Sequence, residues 1–201
     1  WSFANLRVEN IVMKKTIEKS LLNATKSFRL LESEYIKNKI FLSTQLILKS
    51  LKKGKKIIFC GNGGSAADSQ HLSAELVGKY LKQRKAIASI SLTTDTSVIT
   101  SIGNDMGFDN IFSRQIEANG NEGDILFLLS TSGKSKNILN AIEIAKKKKL
   151  KIIFLTSDLF KKKITKCDIV IKSPAYRVDR IQEMHIAIGH IICEMIEKNF
   201  K

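Results

Sequence analysis

The chain has 201 residues, of which 43% are apolar and 26% charged, an ordinary composition for one folded domain with a substantial core. It has no apolar run of about 18 residues and no signal-peptide pattern at its start, so we expect a cytoplasmic protein without a membrane span. The net charge of +15 comes mainly from lysine runs without interleaved aromatic residues. We therefore expect a solvated surface that attracts anionic substrates, not a nucleic-acid-binding protein.

The N-terminal segment, residues 9–53, has apolar residues at roughly helical spacing throughout and no proline. A break near residues 31–35 predicts two helices. So much amphipathic helix ahead of the first strand needs a surface to cover, and a partner subunit is the natural candidate.

A glycine-rich stretch follows between Lys56 and Tyr80. The apolar run 57–60 predicts a buried strand, and the loop 61–64 contains three glycines. A helix is then expected to begin at Ser65, since Asp68 stands three residues later. Strand, glycine loop and helix N-terminus together make an anion site. A tight turn without a ligand is the alternative.

Two residues of that predicted helix, His71 and Glu75, are four positions apart and therefore share one face. An imidazole and a carboxylate on one face can bind a divalent metal or act as a proton-transfer pair. A solvent-facing hydrogen bond is the alternative.

The rest of the chain alternates between predicted strands and helices. Strands are expected at 86–91, 124–129, 151–155 and 168–171. A short helix is expected after a turn at 93–96, ending at about residue 102, and is followed by a loop at 103–105. Further helices are expected over 109–118, 137–148 and 178–198. This order predicts an α/β fold with a doubly wound, five-stranded parallel sheet in three αβα layers. We expect a single domain over 1–201, with an α/β core from residue 54.

A second polar loop, Ser130 to Ser135, again follows a strand and opens a helix. Its four hydroxyl groups and free N–H groups suit a phosphate, although the P-loop spacing is missing. The alternative is an ordinary serine-rich turn. Both loops are expected at the same edge of the sheet, where ligands bind in open α/β folds.

The last predicted helix carries Asp179, Gln182, Glu183, His185 and His190. Gln182 and His190 are eight residues apart, about 12 Å along the axis and some 80° around it. From spacing alone, His185 at i+3 is the better partner for Gln182.

Four segments, GNGGSAADSQHLSAE, LTTDTSVITSIGND, STSGKSKNIL and RIQEMHIAIGHIICEMIE, occur in this order. In them the chain resembles the sugar isomerase (SIS) domain family from about residue 53 to 197. The resemblance implies an isomerase that interconverts a ketose and an aldose through a metal-assisted enediol, with sedoheptulose 7-phosphate as the expected substrate. It also implies a homotetramer with active sites shared between neighbouring subunits. Residues 1–12 match nothing in the family pattern.

The family pattern also implies roles for individual residues. One Zn²⁺ per subunit would be held by His71, Glu75, Gln182 and His190, which favours His190 over His185. Glu75 would be the catalytic base and His190 the acid. The substrate would contact Asn62, Gly63, Gly64, Glu75, Asn104, Asp105, Ser130, Thr131, Ser132, Ser135, Asp179 and Gln182. Lys79 stands where many relatives have arginine, so a charge is kept but a bidentate contact is not.

One rival hypothesis is a SIS-fold protein that binds a sugar phosphate, or associates with a replication initiator, without catalysis. Such relatives tend to lose the carboxylate at position 75 or the imidazole at position 190. This chain keeps both.

Overall fold

The computed structural model describes residues 3–160 and 166–200, with side chains from residue 9 onward. The lysine run 161–163, which we expect at the surface, lies outside these residues. Within the described residues, no helix is both long and apolar enough to cross a membrane.

The described part of the chain contains one parallel sheet of five strands in the order β2-β1-β3-β4-β5. The strands are β1 (Ile57–Gly61), β2 (Ser89–Ser91), β3 (Ile125–Leu129), β4 (Lys151–Ser157) and β5 (Ile169–Ser173). All residues of β1 and β3 are buried, as expected for central strands covered on both faces. The predicted fold class is confirmed.

Seven α-helices accompany the sheet in the described residues. They are α1 (Phe3–Arg29), α2 (Glu34–Leu51), α3 (Gly64–Val77), α4 (Thr96–Met106), α5 (Ser113–Asn119), α6 (Lys136–Lys147) and α7 (Val178–Asn199). Buried residues of α2, α3 and α7 form the apolar core on one face of the sheet. Those of α4, α5 and α6 form the core on the other face.

The strand order places a topological switch between β1 and β3. The chain leaves β1 towards β2 on one side, whereas β3 to β5 extend on the other side. Ligands bind at such a point in open α/β sheets, outside the carboxyl ends of the strands. Both polar loops, Asn62–Gly63 after β1 and Ser130–Ser135 after β3, begin at this edge.

The N-terminal helices break where the sequence predicts. Helix α1 ends at Arg29, a short 3-10 turn covers Leu30–Glu32, and Ser33 caps α2. Much of the apolar stripe of α1 is uncovered within the single chain, with Ile17 58% and Leu21 64% exposed.

Four local expectations are wrong. Helix α5 begins at Ser113 and not near residue 109, after a separate 3-10 turn at Phe108–Asn110. Strand β2 spans only Ser89–Ser91 of the predicted run 86–91. Helix α3 begins at Gly64 with Gly63 as its N-cap, so Ser65 lies buried inside the helix. Residues 103–105 belong to α4, which Asp95 caps and which stops only at Gly107, where φ is 86°. A single glycine inside a helix costs only about 1 kcal/mol, so Gly103 does not end α4.

Candidate active site

Three ionisable side chains from α3 and α7 converge at one point. His71 Nε2 lies 3.1 Å from Glu75 Oε1, and His190 Nε2 lies 3.3 Å from His71 Nε2. One ligand atom from each residue lies within 4.8 Å of the other two. The predicted shared face of His71 and Glu75 is therefore observed, and α7 brings His190 to it from 119 positions further along the chain.

The convergence follows from the packing of α7 along α3. Gly189 lies against Leu72, where a Cβ would approach the Leu72 side chain to 2.5 Å. This contact brings the two helices close together beside His71 and His190. A side chain at position 189 would force the helices apart and separate the imidazoles.

The donor set fits a divalent metal. Burial lowers the pKa of His190, and the nearby His71 lowers it further, against the opposing effect of Glu75. A neutral imidazole offers a lone pair, and two imidazole nitrogens with one carboxylate oxygen are a ligand set that zinc accepts with a position left open. His71 is half exposed, so the cluster is open to a ligand.

The loop after β3 presents hydroxyl groups at the start of α6. Gly133 N donates to Ser130 Oγ, and Lys134 N donates to Ser132 Oγ, both at 3.2 Å. Since these oxygens accept from the backbone, their own hydrogens stay available for an anion. Ser135 is the N-cap of α6, and its side chain makes no capping hydrogen bond. The loop is therefore suited to bind a phosphate.

Buried side chains of β4 and α7 lie beneath this loop. Ser157 Oγ donates to the Thr131 carbonyl at 2.6 Å, and Thr156 lies directly under Gly133. His185 Nε2 donates to the Thr156 carbonyl at 2.9 Å. Burial lowers the pKa of His185 to about 4, so the ring is neutral near pH 7.

The position of His185 corrects the expectation from spacing. Its side chain is fully buried and bonds to β4, so it does not join the candidate metal ligands. The imidazole that does join them is that of His190.

Asn62 and Asn137 connect the two loops at the switch point. Their side-chain amides exchange two hydrogen bonds of 2.9 Å. Asn137 lies in the first turn of α6 and is buried. Asn137 is not singled out by the sequence analysis. Its position directly after a polar loop is the signal that could have indicated it, because an asparagine there can join two segments of the chain.

Gln182 lies at the opposite end of α3 from Glu75. Its amide packs against Gly64, where a Cβ would lie 2.4 Å from Nε2. Gly63 has φ of 55° and lies next to this contact. The three-residue cluster of metal-ligand type does not include Gln182, so its place in a metal site stays a prediction.

Three further expected site residues have hydrogen-bond or ion-pair partners outside the cluster. Asn104 and Asp105 are exposed in the last turn of α4, hydrogen-bonded to each other at 2.7 Å. Asp179, in the first turn of α7, forms ion pairs with Arg177 and Arg180. No hydrogen bond among the described residues ties any of the three to the candidate metal ligands.

Comparison with known proteins places the chain in a family. The SIS domain model matches residues 23–157, and the chain belongs to the SIS domain family. A phosphoheptose isomerase of Rhodospirillum rubrum is 51% identical over 152 residues, covering 76% of this chain and 81% of that protein. A phosphoheptose isomerase of Nitratiruptor sp. is 45% identical over 188 residues, covering 94% of this chain and 100% of that protein.

A solved structure is similar over the same range. Phosphoheptose isomerase from Neisseria gonorrhoeae has a TM-score of 0.85 and 35% identity, covering 92% of this chain and 99% of that one. The chain is thus similar to phosphoheptose isomerases along nearly its whole length.

Proposed function

We propose that the chain is a ketose–aldose isomerase that converts sedoheptulose 7-phosphate to D-glycero-D-manno-heptose 7-phosphate, the first step towards nucleotide-activated heptose. The observation that carries the proposal is the convergence of His71, Glu75 and His190. It occurs in a chain 45% identical over 94% of its length to a phosphoheptose isomerase.

The reaction needs a base that removes a proton from carbon and an acid that supplies one to oxygen, with an enediol between them. Glu75 is the proposed base and His190 the proposed acid. Burial and the neighbouring His71 lower the pKa of His190, which favours release of a proton to the substrate oxygen. His71, 3.1 Å from Glu75, orients the carboxylate.

His71, Glu75 and His190 are also the proposed ligands of one Zn²⁺ per subunit, with Gln182 as the fourth. Bound zinc would polarise the substrate carbonyl and stabilise the developing negative charge.

The phosphate group is assigned to Ser130, Thr131, Ser132 and Ser135. The support is that the Ser130 and Ser132 hydroxyl oxygens accept from backbone N–H groups beside the N-terminus of α6, where N–H groups and the helix dipole favour an anion. Asn62, Gly63 and Gly64 lie across the switch point and are assigned to the sugar.

We further propose a homotetramer whose active sites lie between subunits. Within one chain, α1 leaves Ile17 and Leu21 exposed, and α7 leaves Ile191 41% exposed directly beside His190. Asn104, Asp105 and Asp179, which the single chain leaves apart from the cluster, are then assigned to a neighbouring subunit's site. Light scattering at assay concentration tests the assembly, since a fully active monomer of 22.6 kDa would contradict it.

The test of the function is a coupled assay of sedoheptulose 7-phosphate turnover, with and without added zinc. We expect conversion to the aldose phosphate that depends on zinc. A protein that binds the sugar phosphate without turning it over would instead support the non-catalytic rival.

A further inference from the structure

The segment between α3 and β2, residues 78–85, is folded around one buried carboxylate. Glu197 Oε1 accepts from Tyr80 N at 3.0 Å, and Oε2 accepts from Leu81 N at 2.8 Å and Lys82 N at 3.0 Å. The Glu197 side chain is 2% exposed. Burial alone would raise the pKa of Glu197, but these donors and Arg84 lower it, so the group is held as a carboxylate.

Arg84 completes this arrangement and closes the end of α3. Its Nε donates to Glu197 Oε1 at 3.1 Å. Its other nitrogens donate to four backbone carbonyls, those of Glu75, Leu76, Gly78 and Lys85. The bond from Nη2 to the Glu75 carbonyl is 2.7 Å long. The guanidinium therefore fixes the backbone of the proposed catalytic base directly.

The same segment places an aromatic ring on the candidate metal cluster. The rings of Tyr80 and His190 are stacked, with centroids 5.7 Å apart and an interplanar angle of 29°. His71 meets His190 edge-on at 4.8 Å. His190 thus contacts both Tyr80 and His71, and the position of Tyr80 depends on the bond from its own N–H to Glu197.

We propose that Glu197, Arg84 and Tyr80 are positioning residues of the active site, and we call them the latch. Glu197 and Arg84 hold residues 78–85 against α7, and Tyr80 then fixes the plane of the His190 imidazole. Arg84 also holds the turn of α3 that carries Glu75. The zinc-affinity and turnover measurements below rest on the proposed function, whereas the measurement on metal-free protein does not.

The first measurement follows the histidines in metal-free protein. The chain has only three, so histidine labelled with ¹³C at Cε1 gives three ring signals, and the buried His185 is an internal reference. Glu197→Gln turns one carboxylate oxygen into an NH₂ group that faces backbone donors, which releases the segment. We expect the His190 signal to move in Glu197→Gln while that of His185 stays in place.

The second measurement is zinc affinity, obtained by competition with a chromophoric chelator. Groups that orient metal ligands typically contribute about 10-fold to 100-fold to affinity or activity. We expect a loss of that size in Glu197→Gln, with kcat lowered and KM for the sugar phosphate unchanged. Tyr80→Leu should show the same loss, and Tyr80→Phe, which keeps the ring, should restore it.

Asp124→Asn is the matched control. Asp124 is also a buried carboxylate that accepts from two backbone N–H groups and pairs with a cation, Lys56. It precedes β3, at the amino edge of the sheet, opposite to the edge of the polar loops. We expect it to lower thermal stability as Glu197→Gln does, without any change in zinc affinity or in the His190 signal.

Two results would overturn the latch. One is a His190 signal in Glu197→Gln that coincides with the wild-type signal. The other is a zinc affinity that falls equally in Glu197→Gln and Asp124→Asn, which would show that the latch residues contribute only to general stability. Failure of the wild-type protein to bind zinc would count against the proposed function instead, and the His190 signal would still decide the inference.

Discussion

The two polar halves of the site differ in how they are built. The proposed phosphate half is a loop in which the Ser130 and Ser132 hydroxyl groups are fixed by backbone N–H groups, with Thr156, Ser157 and His185 buried beneath it. The proposed metal half consists of side chains from two helices that meet only because α7 packs against α3, and His71 is half exposed. The loop is thus fixed by its own backbone with support from β4 and α7, whereas the side-chain cluster depends on the contact between α3 and α7 and, as we propose, on the latch.

From this difference we expect the two halves to have different roles in the reaction. A preorganised anion site contributes mainly binding, which acts on the ground state and the transition state alike. The side-chain cluster is the proposed site of proton transfer. Substitutions in the cluster should therefore lower turnover, and those in the loop should lower affinity.

The largest expected effect is that of Glu75→Gln. The amide keeps the shape and one oxygen but cannot accept the carbon-bound proton, so kcat should fall by at least about 100-fold with the fold intact. Steady-state kinetics and circular dichroism check both parts. Glu194→Gln, the same change in a residue paired with Lys198 on α7, should leave kcat unchanged. Near-normal turnover of Glu75→Gln would show that another group is the base.

Ser132→Ala should have the next largest effect, and on binding. A hydrogen bond to a charged group contributes about 1.5–3 kcal/mol, so the affinity for a sugar phosphate should fall by roughly 10-fold or more. Calorimetric titration measures this, and the melting temperature should hardly change. Ser101→Ala, on the surface of α4, is the control. Unchanged affinity in Ser132→Ala would place the anion elsewhere.

The smallest expected effect is a pH dependence of stability that arises from His185, which is buried beneath the loop Ser130–Ser135. The pKa of His185 is about 4 in the folded chain and about 6.5 when unfolded, so the unfolded state takes up the proton first. Stability from this group is complete above pH 6.5 and is lost as the pH falls towards 4. Between pH 7 and 5.5 the free energy of unfolding should drop by about 1 kcal/mol.

Urea unfolding of metal-free protein measures this drop. In His185→Gln no imidazole remains to titrate, so this part of the pH dependence should disappear. Identical pH dependence in both proteins would show that His185 is not held neutral in the fold.

The sequence predicts the sheet well because its strands are continuous apolar runs and its two polar loops directly follow strands. It also predicts the shared face of His71 and Glu75, because helical periodicity settles that contact within one element. The residue types of Gly103–Asp105 favour a turn, so the sequence predicts a loop there, whereas the helix stops only where Gly107 takes a positive φ.

Contacts between elements are beyond such reasoning. Spacing favoured His185, yet the packing of α7 buries that ring and brings His190 to the cluster. The family resemblance, not periodicity, pointed to His190. Neither source indicates Glu197 or Arg84. Glu197 accepts hydrogen bonds from Tyr80 N and the Arg84 side chain, both more than 110 positions earlier in the chain.

Adding zinc back to metal-free protein tests whether His71, Glu75 and His190 form the zinc centre of an isomerase. Turnover of sedoheptulose 7-phosphate is followed as zinc is added in fractions of an equivalent. We expect no turnover without metal and a linear recovery that ends at one zinc per subunit, with none in His190→Asn. Full turnover of the metal-free protein, or equal recovery in His190→Asn, would show that these residues are not the zinc centre.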